Sequence, residues 1–138
     1  MAGIFDRDIT LLARSLDLRA QRNTLLASNV ANIETPGFKA QDLVFEDALD
    51  EALHANRPGP LATDNPRHIQ PVMPPPLQQV RGQVILSANP VGSRDGNSVD
   101  LEKEMAKLAE NQVAYQALVQ MISSKFQQLR TAIREGEV

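Results

Sequence analysis

Residues 101–133 read LEKEMAKLAENQVAYQALVQMISSKFQQLRTAI, and this stretch decides the fold. Steps of four and three residues from Leu101 reach Met105, Leu108, Gln112, Tyr115, Val119, Ile122, Phe126, Leu129 and Ile133; nine of these ten side chains are apolar. An average spacing of 3.5 residues keeps one seam against a partner helix, where a free helix at 3.6 would drift away. The segment is therefore expected to be one long helix lying along another, roughly 50 Å in length. No charge occurs from Asn111 to Ser124, and Val113, Leu118 and Met121 lie off the seam. A two-helix hairpin exposes the face opposite its seam, and that face should carry charge. Its absence points to further helices from neighbouring molecules, because monomers seldom expose large apolar patches.

The same alternation runs near the other terminus through Ile9, Leu12, Leu16, Arg19, Asn23, Leu26, Val30 and Ile33. Leu11, Leu18 and Leu25, spaced by seven, form a second stripe expected to meet a neighbouring subunit. The two seams are expected to pair within the chain as an antiparallel coiled coil. With Ile33 opposite Leu101, Asn23 falls beside Gln112, and buried amides at seam positions commonly fix register. The terminal helix should stop near Asn32, a residue tolerant of the left-handed conformation, before Thr35-Pro36-Gly37-Phe38, whose Pro and Gly suit a type II turn.

The segments between the helices differ in kind. Residues 43–54 are expected to form a short amphipathic helix whose acidic face is solvated. From Asn56 to Gly82 stand seven of the nine prolines, which exclude helix and predict extended chain. Residues 83–87 could add a small β element, and Arg94-Asp95-Gly96-Asn97 signals a turn. The expected architecture is mainly α: a flexible lead at 1–8, a coiled-coil helix at 9–34, a middle segment at 35–99, a second coiled-coil helix at 100–134 and a tail at 135–138. Asp100 caps the second helix, with Glu102 and Glu104 in its first turn.

Composition narrows the function classes. The chain has 138 residues, a formal net charge of -3 and no cysteine. No basic block provides a nucleic-acid footprint, and disulfides, Cys-based zinc sites and thiol nucleophiles are excluded. His54 and His68 stand in no spacing suggestive of a metal, triad or general base. No catalytic, cofactor-binding or metal-binding residues are found. The start carries no basic n-region or apolar core of the secretory kind, and no apolar run is long enough to span a membrane, so neither cleaved signal peptide nor membrane insertion is expected.

Leu18-Arg19-Ala20-Gln21-Arg22, Ala27-Ser28-Asn29-Val30-Ala31-Asn32 and Thr35-Pro36-Gly37-Phe38-Lys39 together resemble the N-terminal signature of bacterial flagellar rod and hook axial proteins. Joined to Asp95-Gly96-Asn97-Ser98-Val99-Asp100-Leu101-Glu102-Lys103-Glu104-Met105, the pattern is most similar to the proximal-rod members. The likeness covers both ends, and Phe38 stands where Tyr is common. It implies a structural subunit of the periplasmic rod that assembles with itself and other rod subunits and transmits torque. The inner-membrane ring and its rod adaptor would be neighbours, and the flagellar type III export apparatus would deliver the chain. Phe5 and Ile9 resemble an export signal of this class, and read equally well as two apolar residues opening a helix. Another rod or hook protein, or a helical adaptor or chaperone, remains the alternative.

Overall fold

The computed structural model describes residues 4–54, 75–87 and 95–135. The elements in chain order are α1 (Ile4–Ala31), β1 (Gln41–Val44), α2 (Glu46–His54), a 3-10 turn (Leu77–Gln79), β2 (Gln83–Leu86) and α3 (Leu101–Glu135). The fold is mainly helical with a small two-stranded sheet. Most of the proline-rich stretch, including His68, and Arg94 lie outside the described residues.

Helix α1 starts at Ile4, ahead of its first seam residue, and ends at Ala31. Asn32 does not stop it by turning left-handed, since among the described residues only Gly37 and Gly96 have positive φ. Instead the Asn32 side-chain amide donates back to the Ser28 carbonyl at 2.8 Å. Thr35–Phe38 then closes a type II turn, with Phe38 N–H donating to Thr35 O at 3.3 Å and Gly37 at φ 73°.

Leu43 and Val44, expected to open the short helix, are strand residues. They pair antiparallel with Val84 and Gln83, in the register Gln41 with Leu86 and Asp42 with Ile85. A helix starting at Glu46 keeps Glu46 and Asp47 in its first turn, where carboxylates suit the helix dipole. Leu43 and Val44, separated from it by Phe45, are free to extend.

The apolar core does not sit between the long helices. Leu18, Leu43, Phe45, Ala52, Leu77 and Val80 form it, with Leu11, Leu25, Ala48, Leu49 and Leu53 packed around them. It lies between α1 and the middle segment. Leu18, expected at a subunit interface, is 0% exposed, and Leu11 and Leu25 line the same cluster. The spacing of seven marks a real second face of α1, but the chain's own strand, short helix and 3-10 turn cover it. Burying a leucine fully is worth about 1.5–3 kcal/mol, so Leu18, Leu43 and Leu77 are main contributors. Gly82 permits the close approach here: a Cβ there would lie 2.5 Å from Leu43 Cγ. Arg14 Nε donates to Val80 O at 2.7 Å, and Arg7 donates to Leu53 O, tying α1 to the segments it covers.

Helices α1 and α3 run in opposite directions. Asp8 meets Lys125 at 3.0 Å, Arg19 meets Asn111, and Asn29 meets Glu104. On α3 the buried or half-buried side chains are Glu104, Lys107, Leu108, Asn111, Ala114, Tyr115, Leu118, Ile122, Lys125 and Leu129. Steps of four and three connect all of these but Lys107 and Ala114, and half the positions in that series shift by one residue from expectation. Leu108, Tyr115, Ile122 and Leu129 stay in the seam; Met105, Gln112, Val119, Phe126 and Ile133 are exposed, as is Leu101. The face turned to α1 is therefore rotated from the one expected. Glu104, Asn111 and Lys125 occupy the seam because each finds a polar partner on α1, which an apolar count cannot register. The expected Asn23–Gln112 pair is replaced by Asn111, 2% exposed, whose Nδ2 donates to Arg19 O at 2.9 Å and whose Oδ1 accepts from Arg19 Nη1 at 3.3 Å. From α1, Leu26 is buried and Ile9, Leu12, Leu16, Asn23 and Val30 are half-buried.

Candidate functional site

Two constructions occupy the polar and apolar surfaces of the terminal helices: a clasp that joins them and a set of uncovered faces.

The clasp begins with the backbone groups freed where α1 ends. Asn97 Nδ2 lies 3.0, 2.8 and 2.9 Å from the carbonyls of Asn32, Ile33 and Thr35, and its Oδ1 accepts from Val99 N–H at 2.7 Å. One amide thus gathers three carbonyls of the turn that follows α1, the first of which also accepts from Thr35 N–H at 3.0 Å. Gly37 N–H donates to Asp95 O at 2.9 Å, and Ser98 N–H donates to Phe38 O at 3.0 Å. Ala40 N–H reaches Ser98 Oγ at 2.8 Å, and Lys39 Nζ reaches Gly96 O at 2.9 Å. A turn at 35–38 and a turn at 95–98 therefore hold one another.

Asn29, 1% exposed, carries the connection inward. Its Nδ2 donates to Gln41 O and to Glu104 Oε2, both at 2.7 Å, while its Oδ1 accepts from Gln41 N–H at 2.9 Å. A side-chain amide thus pairs with the edge of β1 as another strand would. Glu104 also accepts from Lys107, which bridges to Asp42 at 3.2 Å. Arg22 grips Asp42 with two bonds, 2.8 and 3.1 Å, and reaches Glu46 at 3.3 Å. Burial alone would raise the Asp42 carboxyl, but the bonds from Arg22 and Lys107 outweigh it and hold it below the usual carboxylate range. The Asp42 bond correspondingly raises Arg22 against the opposing effect of burial. One ionic network thereby spans α1, β1, α2 and α3. Among the described residues no buried side-chain polar atom lacks a partner.

Sequence reasoning singled out Asn29, Asn32, Thr35, Pro36, Gly37 and Phe38, and the structure bonds all of these but Pro36 to Asp95, Asn97, Ser98 or Glu104. It missed Arg22, Asp42, Lys107 and Asn111. Glu104 was visible only as a first-turn acid and Asn97 only as a turn residue, because both act on partners more than sixty positions away.

The uncovered faces flank α3. Met105, Val119, Phe126 and Ile133, with Gln112, form a stripe spaced by seven that is exposed beside the α1-facing seam; Phe126 is 54% and Ile133 68% exposed. Val113 and Met121 are exposed too. On the opposite flank a groove of about 420 Å3 runs between α1, α2 and α3, lined by Leu11, Leu49, Leu53, Ala117, Leu118 and Met121. Leu118, expected to face outward, is half-buried in its wall. A smaller recess of about 330 Å3, bounded by Asp8, Leu12 and Lys125, continues it. The Phe5 side chain lies outside the described residues, and Ile9 is half-buried.

Among the described residues no group of three His, Cys, Asp or Glu side chains could hold a metal ion. His54 is a surface residue beside Asp50 at 3.0 Å. No described helix is long and apolar enough to cross a membrane.

The geometry defines a class: helical proteins whose two terminal helices are joined by a polar clasp and whose long helices keep apolar faces in the open. No protein-family profile matches the chain. Whole-length relatives do: the flagellar basal body rod protein FlgB of Aeromonas hydrophila is 36% identical across 97% of this chain and 98% of its own length. FlgB of Bacillus subtilis is 31% identical across 98% and 99%, and FlgB of Escherichia coli K12 is 29% identical across 99% of each. The chain belongs to the FlgB family of flagellar basal body rod proteins.

Proposed function

We propose that this chain is a structural, non-catalytic subunit of the flagellar proximal rod. It packs its terminal helices with those of neighbouring rod subunits, and the packed helices carry torque from the motor ring towards the distal rod and hook. Within the subunit α1 and α3 form an antiparallel coiled coil. Around it stand other copies, other rod proteins, the inner-membrane ring and its rod adaptor. The flagellar type III export apparatus delivers the chain to the periplasm, with Phe5 and Ile9 as the recognised pair.

The observation that carries this reading is the exposed stripe Met105, Val119, Phe126 and Ile133. A stripe spaced by seven beside a filled seam is the pattern of a helix meeting a second partner helix. Family membership supports the setting. The stripe implies contact between subunits and a rigid multi-helix wall.

Site-specific photo-crosslinking from Val119 in isolated basal bodies tests it. Adducts to other rod subunits or to the same chain are expected; purely intramolecular products would remove the assembly role. For delivery, Phe5→Ala with Ile9→Ala should leave synthesis intact and stop secretion, and normal secretion would exclude that pair.

A further inference from the structure

The two apolar surfaces of α3 lie on opposite flanks. On a helix advancing about 100° per residue, positions 126 and 133 stand roughly 130° on average from positions 114, 121 and 128. The first set is a ridge, and Met121 with Ala114 belongs to the groove. With ridge and groove on different flanks, a two-fold contact would have to engage both flanks of each copy at once, whereas a head-to-tail repeat engages one ridge and one groove per contact.

Beyond Leu129 the ridge meets no described residue of α1. Asp8 meets Lys125, so Ile4 falls opposite about Leu129 at the antiparallel register, and no described residue of α1 lies opposite Arg130 to Glu135. Arg130 and Arg134 are exposed, one turn apart, and flank the side that carries Phe126 and Ile133. The groove's lining carries two acids from α2, Glu46 and Asp50, beside one base, Arg19, and Glu46 also meets Arg22 at 3.3 Å. Ala114 and Ala117 in its wall leave room for a close helix.

We propose that the C-terminal quarter of α3 seats in the groove between α1, α2 and α3 of a second copy, with Phe126 and Ile133 on Leu49, Leu53 and Leu118 and with Arg130 and Arg134 facing Glu46 and Asp50. This rests on the rod reading and specifies which faces meet. The contact is heterologous, so each copy offers one ridge and one groove and the array does not close on a pair. Opposite charges at the rim set the register of the ridge in the groove.

The chain has no cysteine, so a disulfide trap can be introduced cleanly. Full-length Ile133→Cys and Leu53→Cys chains, produced together in flagellated cells, are oxidised in isolated basal bodies; Leu49→Cys replaces Leu53→Cys should the latter not fold. A mixed disulfide between the two variants is expected. Arg130→Glu with Arg134→Glu should lower its yield at least tenfold, and adding Asp50→Arg should restore part of it. Disulfides only between two Ile133→Cys chains, or adducts of the groove cysteine to a protein of different mass, overturn the contact. A chain present in basal bodies without the mixed disulfide overturns this contact alone, whereas a chain absent from basal bodies overturns the rod reading itself.

Discussion

Asn29 Nδ2 stands 2.7 Å from Glu104 Oε2, joining the last turns of α1 to the first turn of α3 across 75 positions of sequence. The same nitrogen bonds Gln41 O, so one buried amide settles a helix–helix contact and a strand edge together.

Asn29→Ala should therefore cost more than a single surface bond. It leaves the Gln41 backbone and the Glu104 carboxylate short of a partner inside the protein, a loss of about 2–3 kcal/mol. Chemical denaturation should show a lower midpoint with an unchanged slope. Asn29→Asp should be worse, because it sets a second carboxylate against Glu104.

Asn97→Ala should loosen the turn at 35–38. Ile33 and Thr35 O lose their donor from Asn97 while Asn32 O keeps Thr35 N–H, and a cost of about 1–2 kcal/mol follows from acceptors left unsatisfied. Amide hydrogen exchange should quicken at Gly37 and Ser98, whose N–H groups bond across the clasp, while the middle of α3 keeps its protection.

Acid should weaken the fold through Asp42. Its carboxyl is depressed by Arg22 and Lys107 in the folded chain, so the stabilisation is complete above the unfolded value of about 3.9 and is lost as pH falls through the lower folded value. Asp42→Asn should cost about 2 kcal/mol near neutral pH, because Arg22 keeps only Glu46 and Lys107 only Glu104 as anionic partners. The gap between the variant and the parent should narrow in denaturation curves taken below about pH 4.

Leu18 and Val113 separate core from surface. Leu18→Ala should destabilise the isolated chain by about 2–5 kcal/mol, because Leu18 is 0% exposed among Phe45, Leu77 and Val80. Val113→Ser, at 67% exposure, should change stability by less than about 0.5 kcal/mol. Thermal unfolding of the two variants measures both.

The amino-acid sequence by itself determined the two long helices, their 3.5-residue alternation, the turn at Thr35–Phe38 and the absence of cysteine chemistry. These follow from local periodicity and from residues that act on their own backbone: Pro36 constrains its predecessor, and Gly37 supplies the positive φ. Family resemblance was legible for a related reason, since the Asn, Thr-Pro-Gly and Asp-Gly-Asn-Ser runs are contiguous.

Only the tertiary structure decided which side of α3 meets α1 and what covers Leu18. The rotation of α3 rests on Glu104, Asn111 and Lys125 finding Asn29, Arg19 and Asp8, and such pairings have no one-dimensional trace. The covering of Leu18 depends on Leu43, Leu77 and Val80 returning from the middle segment to α1. An apolar stripe states that a face must be buried; which element buries it depends on where the chain can bring its other apolar residues.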